Sequence, residues 1–381
     1  MVTPIEVLGP SRHHPERVLV RVGERVLELS ATAHLLLQGL AAGEDGAALT
    51  ERLAAAHPRS PRPAVADVER AAAPLRGYLT ATGAPRPALW LRRPVLKAPQ
   101  VAGLARGLAP LVPGPAWAPG LLLLLLGLNF GLLAALPVQG TLPAQAWWAV
   151  PLALLGLMFV HELGHAAAAQ RFGAPPQDIG IGLFWIFPAL YTDVTRIWTL
   201  PPRERRVVNL AGALAQLAAN ALLLAVAAAL APGDAAQGLR LLVSASLVSC
   251  LVNLLPFSRL DGYWVVVDWL DMPRLHQRCA RQVWRDLRTG FAPLPAGEVR
   301  HPWAFRGYAW AAVLFQLGLA LLALRVLGQG LVWIGSQPDP SQLLHEACSH
   351  PMRSLFGALL MLHVLRALGR LARSSFTFST P

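Results

Sequence analysis

The sequence predicts a mainly α polytopic membrane protein, with about six transmembrane helices following a small N-terminal α+β cytoplasmic domain. Three observations carry that expectation. The 381-residue chain is 54% hydrophobic and only 14% charged, where soluble domains carry about 25% charged residues. From residue 120 onward, apolar runs recur at close to the roughly 20 residues a helix needs to cross hydrocarbon. Arginine alternates between the runs: 139–145, 232–239 and 326–352 hold neither Lys nor Arg, whereas 170–206 holds Arg171, Arg196, Arg203, Arg205 and Arg206, and 258–302 holds seven arginines. By the positive-inside rule, both arginine-bearing junctions and both termini are cytoplasmic. The net charge of +12 then belongs to a membrane face and does not call for a nucleic-acid partner.

Residues 1–88 read as a small domain. "MVTPIEVLGPSRHHPERV" lacks the apolar core of a signal peptide, and His13 and His14 read as solvated tail residues. "VLVRVGERVLELS" (18–30) alternates apolar and polar residues around Gly-Glu, which predicts a hairpin. Ser30 is placed to cap "ATAHLLLQGLA". "GAALTERLAAAH" and the Pro74-bearing "AVADVERAAAPLRGYLTATG" complete three helices. Residues 89–118, with "PRPALWLRRPVLKAP", read as a linker to the membrane domain at 119–381. Predicted spans cover 120–138, 146–169, 207–231, 241–257 and 308–324, with a shorter sixth at 355–368; "LVWIGS" (331–336) extends the fifth or lies at the interface. Cys250, Cys279 and Cys348 are too few and scattered for a disulfide framework or a thiolate zinc site.

The chemistry is concentrated in "MFVHELGHAAAAQRFG" (158–173). His161 and His165 are one helical turn apart and project from one face, so both imidazoles can reach one Zn²⁺ at roughly 2.0–2.1 Å. Glu162 lies beside them and suits a general base acting on water. Gly164 and the alanines after it admit a close helix neighbour. Ionisable groups inside a span are costly and mark function. With Arg171 at the cytoplasmic end of the helix, His161 lies about 15 Å below that boundary.

Two histidines leave the site incomplete, because catalytic zinc takes three protein ligands and one open position. Asp261, in "LVNLLPFSRLDGYW" (251–264), is the best third candidate. It follows the fourth run at a comparable depth, after Pro256 breaks the helix. Asp178 and Asp193, flanking "IGIGLFWIFPALYT", compete for the role. Asp268 and Asp271 read as interfacial charges, and the remaining histidines show no paired spacing.

His161-Glu162-x-x-His165 followed by Asn253-x-x-Pro256-x-x-x-Leu260-Asp261-Gly262 resembles the two signatures of the site-2 protease family of intramembrane zinc metalloproteases. The resemblance covers roughly residues 118–270. It implies Asp261 as third zinc ligand, Glu162 as general base, and Asn253 in substrate or transition-state binding. It also implies that 179–192 is the membrane-associated hairpin after the HExxH helix, to which a substrate adds as a strand, with Asp193 shaping the site from that loop. The implied substrate is a transmembrane segment or another membrane-associated peptide, unwound locally before it is cut. The implied location is a bacterial inner (plasma) membrane.

Segment 18–83 resembles the PqqD-like domains that bind leader peptides of ribosomally made, modified peptides, on "ERVLELS", "LLLQGLAAGEDGAALTERLAAA" and "DVERAAAPLRGYL". Leader capture by strand addition is what this implies. The order of strands and helices is also compatible with a winged helix. The would-be recognition helix, however, offers Arg52 beside Glu51 among alanine and leucine, a poor phosphate footprint. A second class of function stays open: a non-proteolytic membrane component serving export of, or immunity to, a small modified peptide. The intact Glu162 argues against it, since a structural metal site needs no base.

Overall fold

A computed structural model of the chain describes residues 5–10, 16–22, 25–79, 89–136, 146–184, 187–231, 233–272, 275–294 and 299–336. The predicted sixth span at 355–368, the loop at 139–145 and Cys348 lie outside the described residues. The chain divides into two compact units, residues 1–271 and 272–381.

The first unit opens with an antiparallel sheet of β1 (Ile5–Pro10), β2 (Arg17–Val22) and β3 (Arg25–Ser30) in that order. The hairpin expected at 18–30 is β2 and β3, and β1 is an addition. β1 is hard to read locally because its alternation is short and is broken at Gly9, where the register shifts and φ is +141°. Ser30 caps α1 (Ala31–Ala41), its hydroxyl accepting from the Ala33 amide at 3.2 Å. Asp45 does the same for α2 (Gly46–Ala56); α3 (Val65–Leu79) runs through Pro74. Val20, Val22, Leu36, Leu37, Leu49, Leu53 and Leu75 form the core between sheet and helices, each burying side-chain surface worth about 1.5–3 kcal/mol.

The segment expected as a linker is instead structured. β4 (Leu89–Leu96) pairs antiparallel with β5 (Ile179–Phe184), which pairs with β6 (Phe187–Thr192). α4 (Ala98–Leu108) follows, packing Val101 and Ala105 against Ala166 and Ile179. The Asp178 carboxylate accepts from the Ala98 amide at the start of α4, at 2.8 Å. β4 finds its partner some eighty residues later, so a local reading of its Pro- and Arg-rich sequence sees only a connector.

Among the described residues, five helices are long and apolar enough to cross a membrane: Ala118–Ala135, Ala149–Arg171, Pro202–Ala229, Asp234–Asn253 and Pro302–Leu322. They belong to α5 (Ala118–Ala135), α6 (Ala146–Arg171), α7 (Pro202–Ala229), α8 (Asp234–Asn253) and α11 (Pro302–Ser336). α7 is the central helix of the first unit, packing against α5, α6, α8 and the short α9 (Asp261–Leu270). The Asn129 amide of α5 donates to Leu217 O of α7 at 3.0 Å, satisfying part of a buried polar side chain. α6 and α7 approach closely: a Cβ on Gly164 would stand 2.4 Å from Ala211 O. In the second unit α10 (Leu275–Thr289) packs on α11, and α11 continues through 331–336 as one helix. Burial pushes the Cys279 thiol of α10 up to about 11, so it stays protonated at neutral pH.

Candidate metal centre

His161 and His165 are both buried on the α7-facing side of α6. His161 Nδ1 lies 2.9 Å from Gln216 Oε1, and His165 Nδ1 lies 2.7 Å from Val208 O. Both partners are oxygen acceptors, and the Gln216 amide is turned away to donate to Ser246 Oγ (2.9 Å) and Ser246 O (3.2 Å). Each Nδ1 therefore carries a proton, and each Nε2 faces the other ring and Asp261.

The two Nε2 atoms stand 3.1 Å apart. Asp261 Oδ2 is 2.9 Å from Nε2 of His161 and 3.4 Å from that of His165. The three atoms converge on one point, where a metal cation or an imidazole proton offsets the carboxylate charge. The separations match the spacing of roughly 3.3 Å between ligands held tetrahedrally at about 2.0–2.1 Å. Among the described residues, these three are the His, Cys, Asp and Glu side chains grouped closely enough to hold a metal ion.

α7 completes the cradle with the absence of a side chain. A Cβ on Gly212 would stand 2.4 Å from His165 Nε2 and 2.5 Å from His161 Nε2, so Gly212 forms the floor of the site. Asp261 is the first residue of α9 and is brought in by the turn after Asn253. A Cβ on Gly262 would lie 2.0 Å from Leu254 O, which is why this turn closes only on glycine.

Glu162 is half-buried beside the triad, and its backbone carbonyl accepts from the Thr192 hydroxyl at 3.1 Å. The final residue of β6 is thus fastened to the HExxH turn. Asn253 ends α8, half-buried, with no hydrogen bond to the triad. Asp193 is not drawn to the triad. It pairs with Arg21 of β2 at 2.8 Å and accepts from the Thr195 amide and hydroxyl at 3.1 and 2.6 Å. Asp178 caps α4, and Asp271 ends α9 in a left-handed conformation (φ +52°). Asp268, expected at the interface, is instead buried between Arg205 (2.7 Å) and Asn209 (3.0 Å) of α7. Its partners lie about sixty positions earlier, where sequence spacing gives no sign of the pair.

Gly212, Gln216, Ser246 and Asn220 escape a reading that looks only for metal ligands. A signal for three of them is present in "NLAGALAQLAAN". Gly212, Gln216 and Asn220 recur every fourth residue on one face of an apolar helix, the face that meets α6 and α8.

Burial raises the Asp193 carboxyl, but the Thr195 hydroxyl and Arg21 outweigh it and hold the group below the usual carboxylate range. A depressed pKa contributes stability that is full above the unfolded value, about 3.9, and is lost as pH falls through the lower folded value. The Arg21 contact is therefore expected to be constant between pH 5 and pH 9. Asp193→Ala is expected to quicken amide exchange across 193–199 and to leave unchanged any metal binding at the His161–His165–Asp261 group; a loss of metal would make Asp193 a ligand candidate.

No protein-family model, curated protein or solved structure matches the chain. The site is two imidazoles and one carboxylate, with a second carboxylate beside them.

Proposed function

We propose that the protein is an intramembrane zinc metalloendopeptidase of the site-2 protease type. The observation that carries this is the convergence of His161 Nε2, His165 Nε2 and Asp261 Oδ2 beside Glu162, with both histidines inside a helix able to cross a membrane and Asp261 at the start of α9. Two imidazoles and a carboxylate form the donor set of catalytic rather than structural zinc, which leaves a coordination position open. When bound there, zinc makes water acidic enough to attack at neutral pH and polarises the scissile carbonyl.

The chain's own residues supply the rest. Gln216 and Val208 O fix the ring tautomers, so both Nε2 lone pairs are available without rearrangement. Glu162 takes the proton of the attacking water and delivers it to the leaving amine. β6 is an edge strand among the described residues, with β5 on its other side and Thr192 tied to Glu162. That arrangement supports an extended substrate adding alongside β6, its backbone paired while its own helix is locally unwound. The β3 edge of the N-terminal sheet supports capture of a second stretch of peptide, such as a leader, by the same mode.

Glu162→Gln tests the mechanism. The carboxamide keeps the shape and loses the base, so zinc content should be unchanged while cleavage of a membrane-anchored peptide falls by about 10²–10⁴-fold. Cleavage at the wild-type rate would remove Glu162 from the chemistry. Wild-type zinc content without cleavage of any membrane peptide would favour the non-proteolytic export or immunity role.

A further inference from the structure

α10, in the second unit, is strongly patterned. Leu275, Cys279, Gln282, Val283 and Asp286 form its buried face. Asp286 is held by Arg306 at 3.0 Å, Gln282 at 2.8 Å and Trp310 Nε1 at 3.0 Å. Arg306 and Trp310 lie in the first turns of α11, so these contacts dock α10 where the apolar stretch Pro302–Leu322 begins. They also consume α10's acidic side chain.

Two other faces remain. Arg278, Arg281, Arg285 and Arg288 follow one another at spacings of three, four and three residues, a continuous stripe along the helix. Arg278, Arg281 and Arg288 are exposed and form no salt bridge among the described residues. Beside this stripe lie the exposed Trp284 and Leu287, at 62% and 61%. Phe291 after α10 and Trp303 at the start of α11 add further exposed apolar surface. Water is a poor solvent for such a surface, and α10 packs against α11 where its apolar, membrane-length stretch begins. A ligand with phosphate and hydrocarbon side by side satisfies both stripes.

We infer that α10 is an interfacial helix that binds anionic phospholipid headgroups in the leaflet where α11 enters the bilayer, with Trp284 and Leu287 set into the acyl boundary and the arginine stripe on the phosphates. This rests on α11 crossing a membrane, and it is independent of the zinc chemistry. One arginine near an anionic surface favours it by about fivefold, so three without a salt bridge give up to about a hundredfold preference for anionic over zwitterionic lipid, and about tenfold is the least expected.

The test uses the full chain in phosphatidylcholine vesicles containing either brominated phosphatidylglycerol or brominated phosphatidylcholine. Bromine quenches nearby tryptophan, and the difference between wild type and Trp284→Phe isolates Trp284. Brominated phosphatidylglycerol should quench Trp284 at about one-tenth or less of the mole fraction that brominated phosphatidylcholine needs. Arg278→Ser, Arg281→Ser and Arg288→Ser together should make the two lipids equivalent; all three side chains are exposed, so the fold should survive. Equal quenching in the wild type, a preference that persists in the triple variant, or a Trp284 response to single-stranded RNA in place of lipid would each overturn the inference. Flotation of the same samples separates the failures. A chain that does not float with vesicles has lost the membrane premise as well, and one that floats without lipid preference has lost only the role of α10.

Discussion

Adding one methyl group at position 212 is expected to empty the metal centre while leaving the helices intact. The new Cβ would stand 2.4 and 2.5 Å from the two Nε2 atoms, well inside van der Waals contact. Relief by moving the rings is blocked, because each is anchored through Nδ1, to Gln216 Oε1 and to Val208 O. Relief by moving α7 away from α6 is opposed by α5, α8 and α9, which also pack against α7. The fold should tolerate the change, since alanine is favoured over glycine inside a helix by about 0.5–1 kcal/mol. Gly212→Ala should therefore lose at least about 100-fold in zinc affinity, the upper end of what loss of an outer-shell partner costs, with wild-type helical content. Gly156→Ala, on α6 with nothing within 4 Å of the new Cβ, is the control and should bind zinc normally. Wild-type affinity in Gly212→Ala would show that the histidines do not meet over α7.

The difference between Gly212 and Asp261 shows which parts of the site sequence can reveal. His161, Glu162 and His165 stand out because ionisable groups inside apolar runs are expensive and need a reason, and Asp261 stands out by its place just after the fourth run. Glycine in a membrane helix is commonplace, and Gly212 acquires meaning only when α6 lies across it. Gln216 lies between the two cases: a polar residue in an apolar run flags itself, but its partner His161 is 55 positions away. The same logic governs the fold. Ser30 as a cap, the β2–β3 hairpin and the apolar helices follow from neighbours within a few residues. β1 and β4 do not, because a short strand is defined by what it pairs with. Asp193 illustrates the remaining case. Its place beside a loop near the site was readable, but its attachment to Arg21 of the N-terminal sheet required the tertiary structure.

Asp268→Ala is expected to be the most destabilising single change on the α7–α9 contact. Arg205 and Asp268 are 5% exposed each, and removing the carboxylate leaves a guanidinium buried with Leu200 O as a remaining acceptor. Breaking a buried pair in this way costs about 3–5 kcal/mol, a large fraction of the stability of an ordinary domain. Replacing both members with apolar residues removes the uncompensated charge. Arg205→Met with Asp268→Leu should therefore recover most of the loss in a thermal melt, short of about 1–3 kcal/mol for the Asn209 amide that also bonds Asp268. Zinc affinity separates stability from positioning. Asp261 begins the helix that Asp268 nearly ends, but its own end is held by the Gly262 contact with Leu254. Loosening the far end should pivot α9 about that contact and leave Asp261 in place. The double variant should then bind zinc within about threefold of wild type, a smaller change than loss of a true outer-shell partner produces. A double variant as unstable as Asp268→Ala would mean that the charge pair is not the source of the loss. A stable double variant that binds zinc poorly would mean that α9 moves as a rigid lever, and that Arg205 helps set the third ligand from two turns away.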